Sequence, residues 1–296
     1  MQTNVADGNQ LDDLDQVTVV VVTFNSAHCV AALAQTLATV RNVFVVDNGS
    51  LDGTLESVKR SIPHAQVIPN SRNLGFGAAN NLALKRVATR FAFLLNPDCE
   101  TNGDAIQNLL TAVRSIPDFA MAVPQLVSPS GSLEVNYRWP STDWKSSGPS
   151  ADGPCCVGFV CGAAMLFNME VMNQVGFFDE EFFLYYEDDD LCKRVFDQKK
   201  QILVIPSVRM THRSRGSVGG KRRWRSEYLR GFYHAQSKIR FSCKYQGKAQ
   251  AEHLRRRTLY LALLSFPIRM LLPTPRHLAR LAGRVAGLWD FAFCKQ

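Results

Sequence analysis

Short apolar segments alternate with helix-like segments through the first half of the chain. Four segments are rich in Val, Ile, Leu and Phe, as strands buried on both faces are: residues 17–22, 43–46, 66–68 and 91–95. Helices are expected between and after them, over residues 30–37, 78–87 and 104–114. A further strand is expected near residues 121–127. The alternation predicts an α/β fold with a doubly wound, mostly parallel sheet.

Polar residues follow each of the four predicted strands. They are Asn25, Asp47, Asn70 with Arg72, and Asn96 with Asp98. In a parallel sheet ligands bind beyond the carboxyl ends of the strands, so these residues indicate a site of nucleotide size. Asp47 lies where an acidic residue binds a ribose in dinucleotide-binding folds, but it is equally compatible with a helix cap. Neither a GxGxxG nor a GxxxxGK[ST] motif is present, which disfavours a classical dehydrogenase or a P-loop NTPase.

Four consecutive carboxylates, Glu187 to Asp190, follow the aromatic and apolar run of residues 182–186. Acidic residues are favoured in the first turn of a helix, which accounts for some of them. Four adjacent like charges are costly to bury, so the alternative is a carboxylate held in an aromatic-walled cleft as a general base. Both interpretations remain open at this point.

Charge divides the chain into two parts. Residues 1–208 contain 14 Lys or Arg against 23 Asp or Glu, whereas residues 209–296 contain 20 against 3. A basic segment of this kind is suited to an anionic partner, such as nucleic acid, anionic lipid or a polyanionic substrate. The absence of any recognised nucleic-acid-binding module from the sequence makes nucleic acid the weakest of these.

Residues 276–289 have the pattern of an amphipathic helix. Arg276, Arg280 and Arg284 fall on one face, and apolar residues that include Leu281 and Leu288 fall on the other. Such a helix either packs on the rest of the protein or lies in a membrane interface. The apolar stretch at residues 259–268 is too short to span a bilayer.

The remaining composition is that of an ordinary globular protein, with 46% hydrophobic and 20% charged residues among 296. The eight cysteines are scattered without a CxxC pair, which favours reduced cytosolic thiols over disulfides or a zinc site. Residues 1–16 lack the features of a signal peptide and are expected to form a flexible tail. The predicted organisation is this tail, an α/β domain over residues 17–220, and a basic amphipathic helical extension over residues 221–296.

The loop expected over residues 128–160 contains Tyr137 and Trp139, which either stack on a sugar ring or pack beneath the loop. His212 follows the strand predicted at residues 202–206. A single histidine is more often a structural hydrogen-bonding residue than a ligand, but its position after a strand and downstream of the acidic motif makes His212 a candidate ligand.

An ordered set of motifs over residues 17–220 resembles family 2 glycosyltransferases of the GT-A fold, in particular their bacterial rhamnosyltransferase-like branch. The motifs are Val-Thr-Phe-Asn (22–25), Val-Val-Asp-Asn-Gly-Ser (45–50), Asn-Leu-Gly-Phe-Gly-Ala-Ala-Asn-Asn (73–81), Leu-Asn-Pro-Asp (95–98), Arg-Trp-Pro-Ser (138–141), the segment 176–194 and His212.

The resemblance implies roles for individual residues. Asp98 matches the metal-binding Asp of the family's DxD motif, although Asn96 stands where the first Asp usually does, and His212 matches the C-terminal His that helps to hold the metal. Mg²⁺ or Mn²⁺ is the implied cofactor. Asp188 matches the base. The implied nucleotide-sugar site comprises Thr23, Asn25, Asp47, Arg72, Asn73, Gly75, Asn80, Asn96 and Asp98, and the implied acceptor site comprises Trp139, Tyr185 and Glu187.

The function implied is inverting transfer of a sugar from a nucleoside-diphosphate sugar, with dTDP-L-rhamnose as a candidate donor. The implied acceptor is a lipid-linked saccharide used in bacterial cell-surface polysaccharide (lipopolysaccharide O-antigen) synthesis. The expected location is the cytoplasmic face of the membrane, with an anionic membrane surface as partner and no nucleic acid. The competing hypotheses are a nucleotidyltransferase and a non-catalytic, membrane-tethered protein that binds sugar nucleotides.

Overall fold

The structure is a computed structural model that describes residues 14–116, 118–139, 148–213, 216, 223–271 and 274–291. Most of the predicted N-terminal tail lies outside these residues. The chain divides into two compact units. The sheet unit comprises Met1–Phe178 and Leu191–Gly219, and the helical unit comprises Asp179–Asp190 and Gly220–Gln296.

Strands of the sheet unit account for most of the residues predicted to be extended. They are β1 (Val17–Thr23), β2 (Asn42–Asp47), β3 (Gln66–Pro69), β4 (Phe91–Leu95), β5 (Cys99–Glu100), β6 (Phe119–Val127), β7 (Leu133–Glu134), β8 (Tyr137–Arg138), β9 (Cys155–Cys156), β10 (Phe159–Val160), β11 (Ala164–Asn168) and β12 (Gln201–His212).

Helices follow the strands in the sheet unit and make up most of the helical unit. The first group is α1 (Val30–Thr36), α2 (Thr54–Ser61), α3 (Phe76–Leu84), α4 (Gly103–Val113) and α5 (Met169–Val175). The division between the units falls within α6 (Glu187–Asp197). The helical unit continues with α7 (Arg223–Gln246), α8 (Lys248–Leu271) and α9 (Pro275–Trp289).

The main sheet has the strand order β3-β2-β1-β4-β11-β6-β12-β5. Strands β1 to β4 pair in parallel, and so do β6 and β12. Strand β11 lies antiparallel between β4 and β6, so β1 to β4, β6 and β12 all point the same way. The predicted mostly parallel sheet is confirmed, and the carboxyl ends of these six strands lie along one edge.

The Val-rich sequence of β1 places apolar side chains on both faces of the sheet. Val19 and Val21 belong to the core beneath α1, α2 and α4, and Val20 belongs to the core beneath α3 and α5. This is the pattern of a central strand covered by helices on both sides. Strand β12 is longer than predicted: after a register shift between Ile205 and Arg209 it continues beside β6 as far as Thr211, and it ends at His212, which pairs with β5. His212 therefore ends a strand and does not lie in the loop after it.

In the helical unit, α9 packs against α7 through glycines. A Cβ added to Gly283 or Gly287 would collide with the backbone of Tyr228 or Phe232. Leu281 is 3% exposed, and Leu288 is fully buried in a small core that includes Ala235, Ile239 and Ala251. Leu281 and Leu288 of the apolar face predicted for residues 276–289 are thus covered within the unit itself, whereas Trp289 at the end of that face is 76% exposed. Among the described residues, no helix is long and apolar enough to cross a membrane.

Candidate functional site

The ends of β1 and β2 are joined through Asp47. Its Oδ1 accepts a hydrogen bond from the Thr23 hydroxyl at 3.2 Å, and its Oδ2 accepts one from the Ser50 backbone amide at 3.1 Å. Asp47 is only 3% exposed and Thr23 is fully buried. The carboxylate that the sequence assigned to a nucleotide therefore also fixes the turn after β2.

Asn25 adopts a left-handed backbone conformation, with φ of 51°. Asparagine tolerates this region better than most residues because its short amide bonds locally. Its Oδ1 accepts from the Leu51 amide at 2.9 Å, and its own amide donates to the Ser50 hydroxyl at 2.9 Å. Asn25 thus ties the loop after β1 to the loop after β2.

A network of amide side chains organises the segment after β3. The Nδ2 of Asn48 donates to the Oδ1 of Asn73 at 2.9 Å, and the same oxygen accepts from the Gly75 amide at 2.8 Å. Gly75 has φ of 91°, a conformation open to glycine, and α3 begins at the next residue. Arg72, one residue before Asn73, is exposed. Asn48, which the sequence did not single out, is the residue that holds this segment.

Asn80 and Asn96 have different surroundings. Asn80 is 2% exposed, and its Nδ2 donates to the Phe76 carbonyl within its own helix at 2.9 Å. Asn96 is partly exposed at the end of β4. The backbone amide of Cys99 donates to the Asn96 carbonyl at 3.0 Å, which forms the turn that carries Asp98.

Asp98 and His212 meet because β5 pairs with the end of β12. Cys99 stands opposite His212 in this antiparallel pair, and the amide of Arg213 donates to the Asp98 carbonyl at 3.0 Å. The Nε2 of His212 lies 3.8 Å from the Oδ1 of Asp98. Asp98 is 4% exposed. Two residues separated by more than a hundred positions therefore present a carboxylate and an imidazole to each other.

Glu134 holds the other side of the His212 ring. Its Oε2 lies 3.3 Å from the Nδ1 of His212 and also accepts from the Nδ2 of Asn136 at 3.1 Å. A carboxylate on the distal nitrogen fixes the orientation and tautomer of a metal-binding histidine. No sequence pattern indicates Glu134, which lies in a Ser-rich segment and reaches His212 through the pairing of β7 with β6.

Asp98, Cys99 and His212 form a buried group with ligand atoms within 4.8 Å of one another. Burial raises the pKa of the Cys99 thiol well above its usual value, and the Sγ donates to the Ala163 carbonyl. A protonated thiol is a poor metal ligand. The carboxylate and the imidazole are suitable ligands for Mn²⁺ or Mg²⁺, so the group fits the implied cation through Asp98 and His212.

Gly216 links the region after β12 to the start of the site. Its amide donates to the Oδ2 of Asp98 at 2.9 Å, and its carbonyl lies 2.6 Å from the Nε2 of His28. The Cys29 thiol, whose pKa burial raises to about 11, donates to the same carbonyl. A Cβ at Gly216 would lie 3.2 Å from the Cβ of Asp98, so this close approach favours glycine.

Trp139 packs inside its own loop. Its Nε1 donates to the Pro149 carbonyl at 3.2 Å, and its ring lies edge-on to Tyr137 at 6.4 Å. Tyr137 is 3% exposed and its hydroxyl bonds to Gln125 at 3.2 Å. Of the motif 138–141, the last two residues lie outside the part of the chain that the structure describes.

Within the helical unit, the four acidic residues have different environments. Asp190 is fully buried, and its Oδ1 accepts hydrogen bonds from the Tyr245 hydroxyl and the Lys244 ammonium, each at 2.7 Å. Lys244 also pairs with Asp179 at 2.6 Å. Burial alone would lower the pKa of Lys244, but its bonds to Asp179 and Asp190 raise it. Asp190 is therefore a structural anchor to α7.

The two residues before the acidic turn hold an uncommon backbone conformation. Tyr185 and Tyr186 have φ of 68° and 67°, in the left-handed region. Each such residue costs about 1–3 kcal/mol and persists only where the surrounding structure enforces it. Both rings contact His234 of α7 at 5.5 Å, and the Ser237 hydroxyl donates to the Leu184 carbonyl at 3.0 Å. Helix α7 thus holds the strained turn in place.

Glu187 and Asp188 are adjacent but unlike. Glu187 is 6% exposed and its Oε2 has no hydrogen-bond partner among the described residues. Burial, followed by the charge of Asp188, raises the pKa of Glu187 well above its usual value. Asp188 is half-buried, and its Oδ1 accepts from the Asp189 amide at 3.0 Å. The two adjacent carboxyl groups therefore differ in burial, and Asp188 is the more accessible of the two.

Comparison with known proteins relates this arrangement to sugar transfer. The sequence model described as glycosyl transferase family 2 matches residues 18–176. An N-acetylglucosaminyl-diphospho-decaprenol L-rhamnosyltransferase of Mycobacterium tuberculosis is 28% identical over 243 residues, which cover 69% of this chain and 78% of that protein. A low-salt glycan biosynthesis hexosyltransferase, Agl10, of Haloferax volcanii is 26% identical over 61% of this chain and 62% of its own length.

Solved structures share the fold. The mannosyltransferase PcManGT of Pyrobaculum calidifontis, in complex with GDP-Man and Mn²⁺, superposes with a TM-score of 0.56 at 17% identity, covering 93% of this chain and 87% of that one. GalNAc-T7 with UDP, GalNAc and Mn²⁺ superposes with a TM-score of 0.52 at 14% identity. That match covers 76% of this chain and half, 50%, of the GalNAc-T7 chain.

Proposed function

The chain belongs to glycosyl transferase family 2 and has the GT-A fold, and we propose that it is a metal-dependent, inverting transferase. The proposed donor is a nucleoside-diphosphate sugar, with dTDP-L-rhamnose the first candidate. The proposed acceptor is a saccharide linked to a polyprenyl diphosphate. Both follow from the similarity to the mycobacterial L-rhamnosyltransferase, whose name specifies a decaprenol-linked acceptor.

The observation that carries the proposal is the pair formed by Asp98 and His212 at the carboxyl edge of the sheet, with 3.8 Å between Oδ1 and Nε2. Asp98 and His212 would hold a divalent cation, and Glu134 would orient His212. When bound, the cation supplies positive charge for the leaving diphosphate. The segments fixed by Asp47, Asn25 and Asn73 lie along the same edge and are suited to the nucleotide and the donor sugar.

Asp188 is the proposed base. It takes the proton of the acceptor hydroxyl while that oxygen forms a bond to the anomeric carbon and the bond from that carbon to the diphosphate oxygen breaks. Attack on the face opposite the leaving group inverts the configuration. The environments of its neighbours support this choice, because Asp190 is engaged by Lys244 and Tyr245 and Glu187 is buried with a raised pKa. Tyr185, Glu187 and Trp139 stay candidates for contact with the acceptor.

The test measures nucleoside diphosphate and glycosylated product, with dTDP-L-rhamnose, Mn²⁺ and a detergent-solubilised polyprenyl-diphosphate N-acetylglucosamine. Asp188→Asn should lower turnover by about 10²–10⁴-fold while leaving donor binding near the wild-type value, because a general base contributes that much. Asp98→Asn should instead weaken the binding of donor in the presence of Mn²⁺.

Asp197→Asn is the matched control, since Asp197 is an exposed acid at the far end of the same helix. Full turnover by Asp188→Asn would refute the assignment of the base. A second assay supplies dTTP and a sugar 1-phosphate in place of the nucleotide-sugar, and release of inorganic diphosphate with formation of the nucleotide-sugar there would indicate a nucleotidyltransferase. Donor binding without turnover of any nucleotide-sugar tested would indicate a binding protein.

The proposed location is the cytoplasmic face of a bacterial membrane, in cell-surface polysaccharide synthesis, with an anionic membrane surface as partner. The acceptor class supports this proposal, because a polyprenyl-linked saccharide is confined to a membrane. The basic composition of residues 209–296 supports it as well.

A further inference from the structure

Helix α8 exposes an unusual run of apolar side chains. Six large apolar residues are between 37% and 63% exposed: Tyr260, Leu261, Leu263, Leu264, Phe266 and Met270. They lie within eleven consecutive residues of one helix, and we call them the α8 patch. Single exposed apolar residues are ordinary on protein surfaces, but contiguous ones mark sites of interaction.

The opposite side of α8 faces the helical unit. Ala251 is fully buried and Ala262 is 5% exposed, and Leu254 and Leu259 pack against the small core of the unit. The helix therefore has its own buried face and does not need the α8 patch for packing inside the unit. In an ordinary surface helix the outward face would be polar.

Cations lie beside the α8 patch. Arg257 is exposed one turn before Tyr260, and Arg269 is exposed next to Met270, whereas Arg256 is exposed but paired with Glu252 at 2.6 Å. No Asp or Glu occurs from residue 253 to residue 289. A surface of this composition complements the phosphates of anionic lipids. A second copy of the same patch would bring like charges together, which disfavours self-association.

The arrangement differs from the one the sequence suggested. There, residues 276–289 were the candidate membrane helix, but α9 buries Leu281 and Leu288 against its own unit. Helix α8 exposes the apolar side chains of the α8 patch to solvent, and it is not long and apolar enough to span a bilayer. A helix that exposes both apolar and cationic side chains, without spanning, is suited to lie in the plane of the interface.

We propose that the α8 patch inserts into the interface of an anionic bilayer, with Arg257 and Arg269 at the lipid phosphates. This proposal rests on the membrane partner of the proposed function, and it identifies the α8 patch as the surface of the protein that contacts the membrane. Tyr260 suits the boundary, since its ring is apolar and its hydroxyl polar. The aliphatic side chains of Leu261 and Leu264 would leave water for the acyl region.

The experiment is flotation of the full chain with vesicles of equal parts phosphatidylglycerol and phosphatidylcholine, against vesicles of phosphatidylcholine alone. We expect binding to the anionic vesicles only. The double variant Leu261→Gln with Leu264→Gln should lower the partition coefficient by about tenfold or more, because each leucine contributes to the buried apolar area. Arg257→Gln and Arg269→Gln should each lower the partition coefficient by about fivefold, at low salt.

Leu229→Gln is the matched control, a leucine 38% exposed on α7 that is expected to leave vesicle binding unchanged. Circular dichroism establishes that each variant is folded. Failure of the wild type to bind anionic vesicles would overturn the proposal, as would wild-type binding by the double variant. Sedimentation velocity without vesicles gives a third outcome: a dimer that the double variant disrupts would show that a second copy covers the patch, and would also overturn the proposal.

An assay of sugar transfer to a water-soluble saccharide acceptor distinguishes failure of this proposal from failure of the proposed function. The double variant should keep wild-type turnover with the soluble acceptor while losing vesicle binding. If the wild type binds vesicles through the α8 patch but transfers sugar to no acceptor, the assigned reaction fails and the membrane surface stands. If it transfers sugar but ignores vesicles, the reaction stands and the surface fails.

Discussion

The two units assemble their functional candidates in different ways. In the sheet unit, the candidates follow strand ends, and the direction of the strands brings them to one edge. In the helical unit, the candidates are consecutive in sequence, and packing against α7 separates them: Asp190 is fully buried while Asp188 is partly exposed. Backbone topology gathers distant residues in the first case, and side-chain burial distinguishes neighbouring ones in the second.

This difference predicts that neutralising a carboxylate has different consequences for the protein in the two units. Asp98 should be important for ligand binding, whereas Asp190 should be important for stability. Tyr245 and Lys244 make this distinction testable, because both bond to a carboxylate that solvent does not reach.

The largest effect on stability is expected from Asp190→Asn. Removing the buried charge of Asp190 takes one of its two counter-charges from Lys244, and the remaining pair with Asp179 and the partial exposure of Lys244 moderate the loss to about 2–4 kcal/mol. Urea unfolding, followed by circular dichroism, measures the difference in the free energy of unfolding. Asp197→Asn, which removes an exposed i,i+4 pair with Lys193, should change stability by less than about 0.5 kcal/mol. Equal stability of the Asp190 and Asp197 variants would remove the contrast between the units.

A smaller effect, on the affinity for Mn²⁺, is expected from Glu134→Gln in the sheet unit. The amide can still contact His212 but carries no charge to fix the ring, so affinity for Mn²⁺ should fall by about 10–100-fold. Electron paramagnetic resonance of free Mn²⁺, in the presence of dTDP, measures the affinity for Mn²⁺ directly. The measurement does not depend on turnover.

Glu170→Gln serves as the comparison for that measurement, since Glu170 is an exposed residue of α5. The free energy of unfolding of Glu134→Gln should stay near the wild-type value. Unchanged Mn²⁺ affinity would leave Glu134 as a loop residue with no part in the metal group.

The smallest effect is on how the free energy of unfolding changes with pH, and it comes from His234 in the helical unit. Burial, together with Arg284, Arg280 and Lys238 and despite the opposing charge of Asp189, lowers the pKa of His234 from 6.5 to about 4. The unfolded chain therefore takes up a proton between these values and the folded chain does not, so stability should fall as pH is lowered from about 6.5 to about 4. Allowing for partial exposure of the ring, the loss is about 1–2 kcal/mol.

Chemical denaturation across this pH range, compared between the wild type and His234→Gln, isolates the contribution of His234. The variant should lose that part of the pH dependence. His277→Gln, at an exposed position of α9, should retain it. A pH profile of His234→Gln that is identical to that of the wild type would mean that His234 is not the source.

Sequence reasoning succeeded best where a local pattern has one structural solution. The predicted mostly parallel sheet and the resemblance to family 2 glycosyltransferases are both confirmed, the latter by the family match over residues 18–176. The Val-rich strands favour central positions, and their turn residues then lie at one edge. The predicted roles of individual residues, and the predicted domain boundaries, stay predictions.

Sequence reasoning failed where a contact depends on distant segments. Glu134 lies beside His212 because of the pairing of β7 with β6 and of β6 with β12, and nothing near residue 134 indicates this. Likewise, residues 179–190 belong to the same unit as helices that begin some thirty positions later. No pattern in the acidic segment predicts this grouping.

The amino-acid sequence by itself determined the kind of sheet, the edge along which the polar strand-end residues lie, and the family. These follow from hydrophobic periodicity and turn chemistry, which are local. Only the tertiary structure decided which carboxylate is buried, which histidine nitrogen faces Asp98, and which C-terminal helix exposes its apolar side chains. Burial and hydrogen bonding between distant segments set these properties, because desolvation and short-range contacts depend on every neighbour in space and not on the neighbours along the chain.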